Sequence, residues 1–335
     1  MAHRVTVLGA GSWGTALAIQ LGRVGHDVRL WARDLQLVAS MAELRMNRTY
    51  LPDVELPASV LPTASLEQAL EASTCVVAAV PSHGARAVIR LASGFLPPGV
   101  PIVSAAKGLE PDTMLRMSQV IEEELGAASS VAVLSGPSFA VEVARELPTA
   151  VLVASAQPAV LKLVQDDFRS KYFRLYASDD VIGVELGGAL KNVIAIAAGV
   201  VESLGLGCNA LAGLITRGLA EMTRVACAVG GRPQTLAGLS GLGDLVLTCT
   251  GNRSRNRLVG VELGKGRSLD AILADMKMVA EGVQTTGAAL ALGKECGVEL
   301  PIAWQMAEVM AGRVAPLVAV ETLMLRRQRV EADTR

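Results

Sequence analysis

The first half of the chain alternates short apolar runs with amphipathic stretches. The apolar runs lie at residues 4–8, 27–31, 75–80, 101–104, 131–134 and 149–153. They are almost continuously apolar, which is typical of strands that are covered on both faces of a sheet. The stretches between them have helical periodicity, as at residues 12–24 and 112–125. This alternation predicts an α/β domain with a largely parallel sheet and right-handed crossovers.

The pattern changes near residue 177. Beyond it no alternating strand pattern is evident, and long segments rich in Ala, Leu and Gly have the spacing of helices. These segments are residues 181–204, 210–229, 281–296 and 301–310. The sequence therefore predicts an N-terminal Rossmann-like domain over residues 1–177 and a C-terminal all-helical domain over residues 178–335.

Composition narrows the class of protein. Hydrophobic residues form 51% of the 335 residues and charged residues only 19%, which excludes intrinsic disorder over most of the chain. The 31 basic and 32 acidic side chains give a net charge of -1. This balance argues against broad electrostatic binding to nucleic acid or to an anionic membrane, although a local basic cluster could still bind one anion.

Hydropathy and cysteine content bear on the compartment. The mean hydropathy of +0.42 is high, but a membrane span needs about 20 apolar residues, and Gly136-Pro137 interrupts the uncharged stretch at residues 125–141. The five cysteines show no close pairing, and the three histidines show no zinc-ligand spacing. We therefore expect no membrane span, no metal site and a reducing, cytoplasmic location.

The most informative motif is the sequence GAGSWG at residues 9–14, which follows a predicted strand and opens a predicted helix. In a dinucleotide-binding turn the first Gly permits the tight turn, the second lets a pyrophosphate approach the backbone, and the third lets the helix pack on the strand. The N–H groups and the positive dipole end of the helix then face the phosphates. Because a second strand follows at the expected distance, the motif predicts a dinucleotide site rather than a purely structural turn.

The end of the second predicted strand indicates which dinucleotide is preferred. An NAD site usually presents Asp or Glu there to the ribose 2′-hydroxyl, but residues 30–34 read LWARD. Arg33 can pair with a 2′-phosphate. The sequence therefore favours NADP(H), with NAD(H) also usable, unless Arg33 is simply a solvated loop side chain.

Two of the seven lysines have apolar surroundings. Lys107 follows a predicted strand, at the sheet edge where ligands bind in open α/β folds, and Lys191 lies in a helix with almost no other charge. A dehydrogenase that reduces a carbonyl needs a proton donor. Lys191 fits this role if burial and the charge of Lys107 favour loss of its proton. The alternative is a lysine whose ammonium group reaches solvent.

The histidines are weaker proton donors by position. His3 is at the terminus, and His26 lies in a turn before the second predicted strand. His83, at a predicted helix start, is kept in reserve.

Two turns offer polar groups to a substrate. Residues 251–257 read GNRSRNR, and Ser254, Arg255 and Asn256 together provide hydroxyl, guanidinium and amide donors that suit a phosphate dianion. Residues 135–140 read SGPSFA and follow a predicted strand, so they too lie at the carboxyl edge of the sheet. A solvated Arg-rich turn and a plain structural turn are the respective alternatives.

Eight motifs together resemble those of the bacterial NAD-dependent glycerol-3-phosphate dehydrogenase family. They are GAGSWGT at residues 9–15, WAR at 31–33, NRTYLP at 47–52, SAAKG at 104–108, SGPS at 135–138, LKN at 190–192, GLGDL at 241–245 and NRSRN at 252–256. The motifs occur in collinear order over nearly the whole chain, which makes the resemblance specific.

The resemblance implies reversible reduction of dihydroxyacetone phosphate to sn-glycerol 3-phosphate by NAD(P)H, in the cytoplasm, for phospholipid synthesis. By position, Lys191 resembles the family's proton acceptor, and Lys107 and Asp244 complete the predicted catalytic set. The predicted substrate contacts, with Thr248 added because it is four residues from Asp244, are Lys107, Gly136, Ser138, Lys191, Asp244, Thr248, Ser254, Arg255 and Asn256. The predicted cofactor contacts, including the three motif glycines, are Gly9, Gly11, Ser12, Trp13, Gly14, Arg33, Tyr50, Lys107, Ala140, Arg255, Val279 and Glu281.

Two other functions stay open at this point. One is a two-domain dehydrogenase of the same architecture that acts on a hydroxyacid, and the other is a non-catalytic NADP-binding sensor. We expect the site to form in the cleft between the two domains, and the Ala-rich helical half could supply a homodimer interface.

Overall fold

The computed structural model describes residues 3–276, 278–328 and 330–331. The chain divides into two compact units. The first unit comprises Met1–Lys107 and Met117–Val181, and the second comprises Gly108–Arg116 and Ile182–Arg335. The domain boundary between residues 177 and 178 stays a prediction. Nothing in the sequence pattern indicated that a nine-residue segment of the first half groups with the second unit.

The first unit is built on an eight-stranded sheet with the order β10-β9-β8-β7-β6-β1-β2-β5. Neighbouring strands are parallel except for β8 and β9, which are antiparallel, and β3 and β4 form a separate antiparallel pair. The strands are β1 (Arg4–Leu8), β2 (Asp27–Trp31), β3 (Met46–Asn47), β4 (Leu51–Glu55), β5 (Val60–Thr63), β6 (Cys75–Ala78), β7 (Ile102–Ser104), β8 (Val131–Ser135), β9 (Thr149–Ala154) and β10 (Phe173–Ser178).

Helices connect these strands and cover the sheet. They are α1 (Ser12–Arg23), α2 (Leu35–Leu44), α3 (Leu66–Leu70), α4 (Ser82–Ala92), α5 (Met117–Leu125), α6 (Ala140–Ala144) and α7 (Pro158–Phe168), with a 3-10 turn at Ser93–Phe95. The chain runs outward from β1 to β2 in one direction and from β6 to β7 in the other. Ligands of open α/β sheets bind at such a change of direction, beyond the carboxyl ends of the strands.

The predicted α/β fold class is confirmed, with differences at particular elements. All six predicted strands are present, whereas β3, β4, β5 and β10 were not predicted. In β10 the residues alternate between buried and exposed, as expected at the edge of a sheet, so it lacks the continuous apolar run of the inner strands. The helix predicted over residues 112–125 begins only at Met117, because the residues before it fold into a turn of the second unit.

From residue 181 onward, the described residues of the second unit form helices joined by turns, as predicted. Its helices are α8 (Val181–Ser203), α9 (Gly207–Ala228), α10 (Pro233–Leu236), α11 (Asp244–Thr250), α12 (Arg255–Gly264), α13 (Leu269–Asp275), α14 (Glu281–Glu295), α15 (Pro301–Met310) and α16 (Pro316–Met324), with one π-helical segment at Leu239–Gly243. The predicted α15 matches the observed bounds, and the other predicted helices differ from the observed ones by a few residues.

Helix α8 forms the centre of the second unit. Nineteen of its residues, from Gly183 to Val201, are buried, and α12 packs against it where Gly260 leaves room: a Cβ there would lie 1.8 Å from the carbonyl oxygen of Ile196. Among the described residues, α8 is long and apolar enough to cross a membrane, with a mean hydropathy of 1.6. However, 89% of that stretch is buried inside the protein, as in a core helix of a folded domain.

The segment Gly108–Arg116 belongs to the second unit through both apolar and charged contacts. Leu109 is fully buried in the helical core and pairs with Arg116 in an isolated antiparallel bridge. The Arg116 guanidinium donates to the carboxylate of Glu185 on α8 at 2.6 Å. Lys107 therefore comes directly before a segment that is anchored to α8.

Candidate active site

The glycine-rich turn between β1 and α1 has the backbone of a dinucleotide site. Gly9 has φ +109°, and a Cβ on Gly14 would lie 1.9 Å from the carbonyl oxygen of Gly9. Both positions therefore require glycine for reasons internal to the fold. In contrast, apart from Gly11 and its neighbours in the chain, no atom of the described residues lies within 4 Å of the position of a Cβ on Gly11. Gly11 thus borders open space at the start of α1, where a pyrophosphate would approach the backbone.

Side chains around the turn also fit a bound ligand. Gly11, the N-cap residue of α1, supplies no side-chain acceptor for the first N–H groups of the helix, which an anion could therefore receive. The buried indole N–H of Trp13 has no hydrogen-bond partner within the described part of the chain. Ser12 is the first residue of α1 and Ala140 the first residue of α6. The residues present therefore fit a dinucleotide.

Asn47, for which no role was predicted, holds the turn in place. Its Nδ2 donates to the carbonyl oxygen of Ala10 at 2.9 Å and to the hydroxyl of Thr15 at 2.8 Å, while its Oδ1 accepts the backbone N–H of Tyr50 at 3.1 Å. The signal that could have found Asn47 is its position in the NRTYLP motif. Tyr50 is half-buried next to this network.

The end of β2 leaves Arg33 exposed. The acid next to it, Asp34, caps α2 by accepting the backbone N–H groups of Gln36 and Leu37 at 2.9 and 3.1 Å. This carboxylate is therefore engaged in the fold, which agrees with the prediction that no acid is presented to a ribose here.

Lys107 lies at the carboxyl edge of the sheet with three other predicted residues. Its Nζ donates to the carbonyl oxygen of Gly136 at 2.7 Å and to the hydroxyl of Ser138 at 3.2 Å. The same ammonium group is 6.0 Å from the centroid of the Trp13 ring. Gly136 has φ +125°, a conformation that favours glycine and turns its carbonyl toward the lysine. The first unit thus gathers a cation, a hydroxyl and the dinucleotide turn.

Lys191 is buried on α8 and bound to two residues of α11. Its Nζ donates to Asp244 Oδ1 and to the hydroxyl of Thr248, each at 2.8 Å. The side chains of Lys191 and Asp244 are 8% and 1% exposed, so both are almost completely buried. Asp244 and Thr248 share one face of α11, as their spacing predicted, and the threonine hydroxyl also donates to the Asp244 carbonyl oxygen at 2.5 Å.

Lys191 has an anionic partner within its own unit, because the carboxylate of Asp244 lies beside its ammonium group. The expected proximity of Lys107, which belongs to the first unit, stays a prediction. An adjacent carboxylate favours the protonated ammonium form.

The basic turn of the second unit is a helix start, as predicted for Ser254. The Ser254 hydroxyl caps α12 by accepting the backbone N–H of Arg257 at 3.2 Å. Arg255 follows, and burial lowers the pKa of its guanidinium while the charge of Glu281 opposes that shift. A desolvated guanidinium at a helix N-terminus is well suited to an anion.

Asn256 and the start of α14 complete this region. The Asn256 Oδ1 accepts the N–H of Gly282 at 2.9 Å, so its amide is engaged within the fold, which the sequence argument did not foresee. Val279 and Glu281 flank the N-cap of α14, Ala280, and both are half-buried. The predicted roles of these residues toward substrate and cofactor stay predictions.

The three histidines do not join these clusters. His83 is exposed at the start of α4. His3 and His26 stack 5.6 Å apart and bind the side chain and the carbonyl of Asp167, each at 2.8 Å, so they fasten the N-terminus to α7. Among the described residues, no group of three or more His, Cys, Asp or Glu could hold a metal ion.

Fold and site together define a dinucleotide-dependent dehydrogenase: a Rossmann-type sheet with an open glycine turn, and an all-helical unit with a buried lysine. Two family models match the chain, the NAD-dependent glycerol-3-phosphate dehydrogenase N-terminus over residues 4–161 and the corresponding C-terminus over residues 180–321. The chain belongs to the NAD-dependent glycerol-3-phosphate dehydrogenase family.

Individual relatives agree over their full length. The chain is 50% identical over 333 residues to "Glycerol-3-phosphate dehydrogenase [NAD(P)+]" of Geobacter sp. (strain M21), covering 99% of both chains. It is 52% identical over 336 residues to the protein of the same name from Acidobacterium capsulatum, covering 98% of this chain and 99% of the relative. The crystal structure of glycerol-3-phosphate dehydrogenase from Coxiella burnetii superposes with a TM-score of 0.93 at 40% identity, over 97% and 99% of the two chains. The resemblance inferred from the motifs is confirmed.

Proposed function

We propose that this protein catalyses the reversible reduction of dihydroxyacetone phosphate to sn-glycerol 3-phosphate with NAD(P)H. The observation that carries the proposal is the buried pair of Lys191 and Asp244 in the same helical unit as the desolvated Arg255. Lys191 can supply a proton and Arg255 can bind a phosphate. The reduction of a phosphorylated ketone requires both. The relatives' names support the same reaction.

The cofactor would be held by the glycine turn of the first unit, at the N–H groups that begin α1. When bound, its nicotinamide supplies the hydride that reduces the carbonyl carbon. Trp13 would contribute its buried indole N–H, and Arg33 would pair with a 2′-phosphate, so NADPH is the preferred form and NADH the weaker one.

Lys191 Nζ donates a proton to the carbonyl oxygen as that oxygen becomes an alkoxide. Asp244 keeps the ammonium charged before the reaction and stays hydrogen-bonded to Nζ afterwards, so the amine is ready to be protonated again. In the oxidation direction the neutral amine accepts the proton of the hydroxyl group. Thr248 fixes the orientation of Nζ from a second direction.

Arg255 binds the phosphate group remote from the reacting carbon. Its binding energy orients the ketone for proton transfer and so contributes to rate as well as to affinity. Lys107, held by Gly136 and Ser138, provides a second positive charge for the polar end of the substrate.

In the cell, the product would supply the glycerol backbone of phospholipids in the cytoplasm. A homodimer formed through the helical unit belongs to the same proposal. A hydroxyacid dehydrogenase is the less favoured reaction, because Arg255 lies at a helix start with a hydroxyl and an amide beside it, a donor set suited to a dianion.

The test is the decay of NADPH absorbance when dihydroxyacetone phosphate is added to the purified protein. We expect turnover with this substrate to exceed turnover with a 2-oxo acid of the same length. Faster turnover of the carboxylate compound would identify a hydroxyacid dehydrogenase. A folded protein that binds NADPH but turns over neither compound would be a sensor.

A further inference from the structure

Two buried asparagines connect three helices of the second unit. Asn192 on α8 is 4% exposed and Asn256 on α12 is 8% exposed. The Asn256 Nδ2 donates to Asn192 Oδ1 at 2.9 Å, and the backbone N–H of Gly282 on α14 donates to Asn256 Oδ1 at 2.9 Å. The Asn192 Nδ2 donates to the carbonyl oxygen of Gly188, one turn back on α8, at 3.3 Å. We call these three hydrogen bonds the asparagine relay.

The direction of the asparagine relay is fixed at both ends by backbone groups that cannot exchange roles. The N–H of Gly282 only donates, so Asn256 must turn its oxygen toward it and its Nδ2 toward Asn192. The carbonyl of Gly188 only accepts, so Asn192 must turn its Nδ2 toward it and its oxygen toward Asn256. A flip of either amide would oppose two donors or two acceptors in a buried site, which is costly.

The spacing of the helices is fixed as well. A Cβ on Gly282 would lie 2.6 Å from the carbonyl oxygen of Asn192 and 2.8 Å from the Oδ1 of Asn256. Only glycine therefore allows the first turn of α14 to lie this close to α8 and α12. Asn256 also accepts an N–H group at the start of α14, where the N-cap residue Ala280 makes no side-chain cap.

The asparagine relay ends at the anion site proposed above. Asn256 follows Arg255 in the first turn of α12. Glu281, whose charge raises the pKa of the Arg255 guanidinium, comes directly before Gly282. The Nδ2 of Asn256 carries two hydrogens, and the relay uses one of them. The relay therefore sets the direction of the second N–H of Asn256, the residue that follows Arg255.

We propose that Asn192 is a positioning residue for phosphate recognition, acting through Asn256. This inference rests on the proposed function, because it needs a phosphorylated substrate. Lys191 and Asn192 are neighbours in sequence but point about 100° apart around α8, one toward Asp244 and the other toward Asn256. The two residues thus serve opposite ends of the substrate, Lys191 the carbonyl and Asn192 the phosphate.

The experiment compares the wild type, Asn192→Ala, Asn256→Ala and the double variant, with the exposed Asn209→Ala on α9 as control. For each we would measure kcat and KM for dihydroxyacetone phosphate and the inhibition constant of inorganic phosphate. Asn192→Ala should raise the KM and the phosphate inhibition constant by roughly 10-fold, the value of about one hydrogen bond. Its kcat should change by less than about threefold with an unaltered pH profile, since Lys191 keeps its partners. In the Asn256→Ala variant, adding Asn192→Ala should not raise the KM or the phosphate inhibition constant any further.

Three results would overturn the inference. An unchanged KM and phosphate inhibition constant would show that Asn192 does not affect phosphate binding. Additive losses in the double variant would show that it does not act through Asn256. A fall in kcat with a shifted pH profile would show that it acts on Lys191. If Asn192→Ala does not fold, Asn192→Ser keeps the buried site polar and is judged by the same criteria. A wild type that does not turn over dihydroxyacetone phosphate would reject the proposed function itself.

Discussion

The two units build their candidate sites from different parts of the chain. In the first unit the site is mainly backbone: a glycine turn with a positive φ at Gly9, open space at Gly11 and a helix start. In the second unit it is mainly buried side chains, with Lys191 between Asp244 and Thr248 and a desolvated Arg255. Ligand binding at a backbone site depends on the lack of a side chain at positions such as Gly11. At a side-chain site it depends on the pairing of buried charges, such as those of Lys191 and Asp244. Substitutions should therefore fail in different ways in the two units.

The largest effect is expected at Lys191. Lys191→Met should lower kcat by about 100-fold or more, because a positioned proton donor contributes 10²- to 10⁴-fold. It also leaves the buried Asp244 carboxylate without its counter-charge, which is destabilising. The double variant Lys191→Met/Asp244→Asn removes that charge, so it should recover stability but not turnover. Steady-state kinetics and thermal unfolding separate the two effects, with the exposed Lys162→Met as control. Near-normal turnover in the double variant would assign the proton to another group.

In the first unit, a substitution at Gly11 should weaken cofactor binding without lowering stability. Gly11→Ala should weaken NADPH binding by roughly 10-fold or more while leaving the melting temperature unchanged, because the added Cβ points into space that no residue in the described part of the chain fills. Gly84→Ala on α4, where the Cβ also meets open space, is the matched control and should bind NADPH normally. A drop in stability with unchanged affinity would mean that the open space serves the fold rather than a ligand.

The buried charges of the second unit should also make its stability depend on pH. Burial raises the pKa of Glu221 to about 7, although its carboxylate accepts the N–H groups of Ile302 and Ala303 at the start of α15. The folded state then holds this proton more tightly than the unfolded state, so the contribution of Glu221 to stability falls as pH rises from about 4.5 to 7. Glu221→Gln does not titrate, and its free energy of unfolding relative to wild type should rise by about 2 to 3 kcal/mol between pH 4.5 and pH 8. Urea unfolding at the two pH values measures this change, and an equal difference at both would contradict it.

The smallest effect is expected at Arg33. This is the charged side chain that we propose makes the first unit prefer NADPH to NADH. Arg33→Ala should weaken NADPH binding by about 10-fold and NADH binding by much less, since only NADPH carries the 2′-phosphate. Titration of both cofactors measures the ratio. Equal losses for the two would remove Arg33 from the 2′-phosphate site.

The same contrast between the units explains which features could be predicted. The inner strands and the turn at residues 9–14 were predicted because continuous apolar runs and glycines at fixed spacing are local signals. The edge strand β10 was missed because one of its faces is exposed, and residues 112–116 were misassigned to α5 because their helical pattern is overridden by burial of Leu109 in the other unit's core. Asn47 and Asn192 stood inside the quoted motifs, but no local rule assigns a partner 37 or 64 residues away in the chain.

By itself, the sequence determined the fold class, the dinucleotide turn and the family, because each follows from residue types at short, fixed separations. Only the tertiary structure decided that Lys191 has an anionic partner in Asp244, that the amide of Asn256 is committed to Gly282, and that the segment after Lys107 is anchored to α8. The physical reason is that the state of a buried charge or amide depends on the groups that replace its water, and folding brings those groups from distant parts of the chain.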